Sequence, residues 1–261
     1  VNTESLSLDN GAFSVRERKV DKKTRYEGEV SLDAFDLEAA HQIVSYLPIP
    51  EDTRVQLAEM APEGQLKQFR LRWKGDGGLP TEYNIKSQFI DLGLQAYGQS
   101  PGFSHVNGHI EANEKRGTLN LNASQAVLDF KEVMRWPIPA GKLNGQVKWT
   151  HHADSTDIKV TNLSISSAHL SGLINASYKH SAGKPGVLDL TGRFDRANAK
   201  YALFYYPTML GKDTLHWLDT SILSGDVSDV SLIVKGRVDE FPFRDAKQGL
   251  FKVTGKVRNA L

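Results

Sequence analysis

GQLKQFRLRWKG, Gly64 to Gly75, and GDVSDVSLIVKG, Gly225 to Gly236, are two writings of one pattern. In each, apolar and polar residues alternate and a Lys-Gly pair closes the run, Lys74-Gly75 in one and Lys235-Gly236 in the other. Their opening glycines lie 161 positions apart (225 − 64), as do Leu71 and Leu232. Alternation with period two puts one set of side chains on each face of a strand, so both runs read as β-strands with an apolar face and a wet face. Upstream of each stands an aromatic turn broken by proline, Tyr46-Leu47-Pro48 and Tyr205-Tyr206-Pro207. The spacing predicts a reused unit. Residues 1–100 form a first partial repeat with a helical insertion at 36–60, and residues 101–261 a second with an insertion at 197–223, joined in one continuous β body. A unit that cannot close its own hydrophobic face is completed by stacking against neighbours.

Outward from these runs the same alternation recurs at Leu119 and Leu121, Val147 and Trp149, Ile158 and Val160, Leu163 and Ile165, Leu188 and Leu190, and Phe251 and Val253. Gly with Asn or Asp punctuates it at Asp9-Asn10-Gly11, Asp76-Gly77-Gly78, Asn107-Gly108, Asn144-Gly145 and Gly183 to Gly186. Read as hairpin turns, these predict an antiparallel meander and no βαβ units. A chain of this size then holds roughly fifteen to twenty strands at about 4.8 Å each.

Helical pattern is confined to a few places. Leu37, Ala40, Ile43, Val44 and Leu47 follow Asp36, an N-cap residue, and Pro48 ends the segment. Glu51 to Met60 starts with acidic residues that complement a helix dipole. A second pair is predicted at Ala197 to Tyr206 and Lys212 to Leu223, and a short turn at Lys131 to Arg135 before Trp136-Pro137-Ile138-Pro139.

Composition excludes several function classes. The 261 residues carry a net charge of +1, without the concentrated basic surface that phosphate binding needs, so no nucleic-acid partner is expected. With no cysteine there are no disulfides, thiolate metal sites or cysteine nucleophiles. No apolar run approaches the length of a membrane span, and the polar start Val1-Asn2-Thr3-Glu4 reads as neither signal peptide nor anchor.

Catalytic patterns are poor. Gly98-Gln99-Ser100-Pro101-Gly102 has the letters of a nucleophile elbow, but that motif needs a strand-to-helix turn, and Pro101 leads into a strand pattern at Phe103 to Val106. His151 and His152 are adjacent, so as strand neighbours they point to opposite faces and do not chelate together. His105 and His109 have no local carboxylate partner in sequence. No catalytic residue, metal or cofactor is expected. The aromatic residues Trp136, Trp149, Tyr205, Tyr206, Trp217, Phe241 and Phe243 are expected to pack helices and turns onto sheet edges.

The run Trp217-Leu218, then Leu223 to Phe243 (LSGDVSDVSLIVKGRVDEFPF), then Gly249, Phe251 and Val253, resembles the YhdP branch of the AsmA-like proteins of Gram-negative bacteria. Pro101 to His109, Pro137 to Trp149 and Asn162 to Gly172 support the resemblance, which covers nearly the whole chain. It implies a periplasmic protein, held in the inner membrane by an N-terminal helix outside these residues, similar to TamB and to bridge-like lipid transfer proteins. It further implies a mainly β fold with a long, strongly curved antiparallel sheet forming an open hydrophobic groove. The implied partners are phospholipid acyl chains, the inner and outer membranes through other regions, and envelope proteins; the implied role is outer-membrane lipid homeostasis.

The residues expected to line that groove are Val147, Trp149, Ile158, Val160, Leu163, Ile165, Leu188 and Leu190. Period two identifies their face without saying whether it is open. The rival reading is a structural or assembly β module with a closed core, docking envelope partners through a sheet edge and carrying no lipid.

Overall fold

The computed structural model describes residues 2–8, 11–20, 23–38, 51–76, 80–98, 100–243 and 245–260. They form one sheet of thirteen strands in which every strand pairs with its sequence neighbours. These are β1 (Asn2–Leu8), β2 (Gly11–Val20), β3 (Lys23–Asp36), β4 (Glu63–Asp76), β5 (Pro80–Leu94), β6 (Gly102–Asn113) and β7 (Arg116–Asp129). They continue as β8 (Ile138–His151), β9 (Ser155–Ser166), β10 (Leu170–Ser181), β11 (Lys184–Asn198), β12 (Asp226–Arg237) and β13 (Gly249–Arg258). All pairings are antiparallel, as the turn spacing predicts. Thirteen strands replace the fifteen to twenty expected because single strands reach 15 residues. Twelve spacings of about 4.8 Å make the sheet about 58 Å wide across its strands.

The two ends of the sheet differ. At one end the strands turn back within two or three residues, at 114–115, 152–154 and 182–183, the longer connection there being 238–248 with a 3-10 turn at Val238–Glu240. At the other, the connections are longer: 37–62, 95–101, 130–137 and 199–225, with only 167–169 short between them. Three helices lie in this second set: α1 (Glu51–Glu59), a 3-10 stretch Ala199–Tyr205 whose N-cap Asn198 accepts from Lys200 N at 3.0 Å, and α2 (Lys212–Ser221). The expected segment from Leu37 to Leu47 lies largely outside the described residues, although Asp36 Oδ1 accepts from Glu38 N at 2.9 Å. At Lys131 to Arg135 the chain makes a turn closed by Met134 N donating to Phe130 O.

Both pattern runs sit in equivalent surroundings. β4 follows α1 and pairs with β3, and β12 follows α2 and pairs with β11. Lys74 faces Glu27 across the first pair and Lys235 bonds Asp189 across the second.

Two expected turns are strand interior instead. Asn107-Gly108 lies within β6 and Asn144-Gly145 within β8. The glycines serve close approach: a Cβ on Gly108 would meet Asn120 O and the Phe89 ring, and one on Gly145 would meet Leu163. Pairing slips at or beside these sites, between Ser104 and Gly108 and between Asn144 and Gln146. Further slips occur at Lys67/Arg70, Phe89/Leu92, Ala123/Ala126, Ile174/Ala176 and Ser228/Ser231. Gln68, Asp91, His105, Asn162 and Asp229 carry the positive φ that several of these bulges need. Bulges increase local twist and bend a strand, so a series of them across the sheet curves it.

Burial shows the outcome of that curvature. Ala126 and Ala140 are 0% exposed, and Phe89, Val106, Ala123, Leu143, Ile165 and Phe194 are buried, although among the described residues there is no second sheet. A flat sheet leaves one face open, so these side chains are covered by the sheet's own curl and by the connections at its long-looped end. The result is a curved antiparallel sheet forming an open hydrophobic groove, with a few short helices.

Candidate functional site

Register builds the groove wall, because directly opposed residues on adjacent strands share a face. Towards the short-turn end, Phe13, Val30, Leu71, Ile85, Ala112, Gly117, Trp149, Ile158, Tyr178 and Leu188 succeed one another from β2 to β11. Two residues deeper run Ser87, Ile110, Leu119, Val147, Val160, Ala176, Leu190, Val234 and Phe251, from β5 to β13. Deeper again come Leu66, Phe89, Gly108, Leu121 and Gly145, and across the bulge Leu163, Ile174, Gly192, Leu232 and Val253. The innermost row holds Leu143, Ile165, Gly172, Phe194 and Val230. Ser87 is the polar member of the second row, and it is buried with its hydroxyl donating to Gln88 O at 2.8 Å.

The opposite face is charged. Arg72 bonds Glu29 at 2.9 Å, Lys86 bonds Glu111 at 3.0 Å and Lys235 bonds Asp189 at 3.0 Å, each pair reaching across to an adjacent strand. Exposed pairs of this kind add little stability. Their effect is to give the sheet one wetted side, opposite the apolar rows.

The eight residues expected to line a groove all fall on the apolar face. Trp149 and Ile158 are direct partners, as are Val147 and Val160, with Leu188 and Leu190 in the same two rows. Leu163 and Ile165 occupy the two deeper rows. Ile165 is buried and the other seven are half-buried. Sequence reasoning missed the deepest wall. Phe89, Val106, Leu143 and Phe194 sit there beside Ala123, Ala126 and Ala140. Small residues carry no periodic signal, although the alternation of Leu119 and Leu121 points towards Ala123.

The long-looped end closes over this wall. His169, on the 167–169 turn, is buried and stacks on Tyr201 with ring centroids 4.1 Å apart, while Phe204 lies 4.7 Å away. Burial lowers the His169 pKa and raises that of Tyr205, whose hydroxyl stands 3.3 Å from His169 Nδ1. Tyr206 is raised by burial and then by the charge of Asp219. Trp136 packs on Phe204 at 5.8 Å, as expected of an aromatic at a sheet end. Trp217 departs from that expectation, being 62% exposed on α2. Trp149 departs too, lying in the groove wall.

Polar candidates do not converge. His105 does have a carboxylate partner, Asp91 Oδ1 at 2.8 Å, brought in from the adjacent strand, which sequence distance hid. His151 ends β8 facing Thr156, and His152 lies in the turn 3.1 Å from Asp157. Ser100 forms an isolated bridge with Tyr97 just before β6, so no strand-to-helix elbow exists there. Among the described residues no group of three or more His, Asp or Glu is placed to hold a metal. Nor is any helix among them long and apolar enough to cross a membrane.

No solved structure matches the chain. The intermembrane phospholipid transporter YhdP of Escherichia coli (strain K12) is 21% identical over 204 residues, which is 76% of this chain and 16% of that protein. The chain therefore spans about a sixth of the length of the curated relative it matches. The family model described as YhdP protein matches residues 1–261, so with one curved sheet and an apolar inner face the chain belongs to the YhdP family.

Proposed function

We propose that this chain is one section of a periplasmic conduit that carries phospholipid between the inner and outer membranes, holding acyl chains in the groove while headgroups stay in water. One observation carries the reading: aligned rows of apolar side chains cross the sheet, and among the described residues no second β layer lies over them. Each acyl CH₂ kept from water is worth about 0.8 kcal/mol, so a chain of about sixteen carbons left uncovered costs on the order of 13 kcal/mol. Uninterrupted cover is therefore the physical requirement of transfer, and rows perpendicular to the strands supply it from strand to strand. The relative named as an intermembrane phospholipid transporter supports the choice of lipid class. Maintenance of outer-membrane lipid follows as the cellular role.

The test is to purify the chain from cells and identify bound phospholipid by native mass spectrometry, with photocrosslinking probes placed at Leu163 and Leu190. Lipid mass adducts and crosslinks from both probes are expected. A lipid-free protein with no crosslink from either position would instead favour an assembly module, and the conduit reading would be abandoned.

A further inference from the structure

The connections at the long-looped end are fastened to one another, and their lengths matter. The 130–137 turn and the 199–225 connection are separated along the sheet by β8, β9, β10 and β11, about 19 Å of arc at one strand spacing each. The seven-residue 3-10 stretch Ala199–Tyr205 advances about 14 Å at 2.0 Å per residue, and Pro207 and Thr208, just beyond it, meet the turn. Met134 and Pro207 form a bridge, Thr208 N donates to Val133 O at 2.8 Å, and Thr208 Oγ1 donates to Glu132 O at 3.2 Å. The connection thus ties the end of β11 back to the turn before β8. Halfway along it, the buried His169 ring packs against Tyr201 and Phe204.

Its far end is locked by charge. One guanidinium nitrogen of Arg135 donates to both oxygens of Asp219 on α2, at 3.0 and 2.9 Å, and the same guanidinium lies 4.3 Å over the Trp136 ring. The two side chains are only 25% and 31% exposed, unlike the open ion pairs on the charged face. A partly desolvated charge-assisted pair is stronger than an exposed one.

We infer that residues 199–223 are a strap that fixes the cross-section of the groove over β7 to β12, that Arg135 and Asp219 are its clasp, and that releasing the clasp lets this part of the sheet flatten and hold more hydrocarbon. The inference rests on the conduit reading for its last clause only. Capacity at this section then depends on whether the clasp is closed.

The chain lacks cysteine, so K131C with K212C gives a clean pair of spin-label sites on the turn and on α2. In the full chain, Arg135→Ala and Asp219→Ala should each broaden the label-to-label distance distribution and speed amide exchange over 199–223 by about tenfold. Both should raise the phospholipid bound per chain. The double exchange Arg135→Asp with Asp219→Arg should restore the narrow distribution. If a single variant fails to fold by circular dichroism, Arg135→Lys, which keeps the charge and loses the guanidinium plane over Trp136, is expected to show a smaller change in the same direction. Unchanged distances and exchange in all of these variants overturn the strap. A loosened strap with unchanged lipid load, in a protein that binds lipid, overturns its control of the groove. A wild-type protein without lipid defeats the conduit reading and with it the capacity clause, while the distances still decide the strap.

Discussion

The indole of Trp149 on β8 lies over Gly117, its direct partner on β7, so closely that a Cβ at Gly117 would fall among the ring atoms. Trp73 covers Gly28 in the same way between β4 and β3. An aromatic ring laid across a glycine of the neighbouring strand fills the gap that the missing side chain leaves, and it holds register at that point. Both pairs belong to the groove wall near the short-turn end. Glycine there is a surface for a ring, not a break in the strand.

Gly117→Val should displace Trp149 and destabilise the protein by about 1–3 kcal/mol, the usual cost of forcing extra volume into a packed site. Urea denaturation reads the midpoint, and indole fluorescence reads displacement of the ring into water. A midpoint equal to the parent's would mean that the ring does not need Gly117.

Val160→Asp and Thr161→Asp form a matched pair on adjacent positions with opposite faces. Val160 lies opposite Val147 on the apolar side, and exposed Thr161 pairs with Gln146 on the other. The first substitution should remove most bound phospholipid while circular dichroism stays that of a β protein, since Val160 is only half-buried. The second should leave the lipid load unchanged. Equal losses from both would show that face plays no part.

Asn162 has φ +46, with its backbone N–H bonded to Asn175 Oδ1 at 2.8 Å. Asn tolerates this conformation, while a β-branched side chain does not. Asn162→Gly should therefore keep stability close to the parent value, whereas Asn162→Val should cost about 1–2 kcal/mol. Thermal or urea unfolding of the three proteins ranks them, and a stable valine variant would contradict the bulge as the source of bending here.

His169 gives the strap region a pH dependence whose sign follows from its lowered pKa. Above the ordinary value of 6.5 neither the folded nor the unfolded chain is protonated at this site, and stability is level. Below it the unfolded chain binds a proton that the buried ring still refuses, so stability declines until the folded value is reached and then levels again. His169→Gln should flatten the Tm profile between about pH 7 and pH 5, where an ordinary histidine titrates. A profile as steep as the parent's would assign the dependence to other groups.

Much of the fold was legible residue by residue. Val147 with Trp149, Ile158 with Val160, and Leu188 with Leu190 alternate strictly, and one face of a pleated strand is all that such alternation encodes. Asn107-Gly108 and Asn144-Gly145 misled because a glycine needed for close approach looks the same in sequence as one needed for a turn. His105 found Asp91, and Arg135 found Asp219, across distances that depend on which strands become neighbours. Phe194 and Leu143 were overlooked because their burial comes from curvature, which no local spacing records.

The sequence by itself determined most of the strands, their antiparallel order, the apolar identity of one face and the helices at Glu51–Glu59 and Lys212–Ser221, since each follows from local periodicity and turn chemistry. Only the tertiary structure decided that the rows align from strand to strand, that the connection after β11 reaches back to the turn before β8, and that among the described residues no second β layer covers the face. Those features arise from register, bulges and contacts between residues far apart in the chain, where many weak local preferences leave the choice to packing.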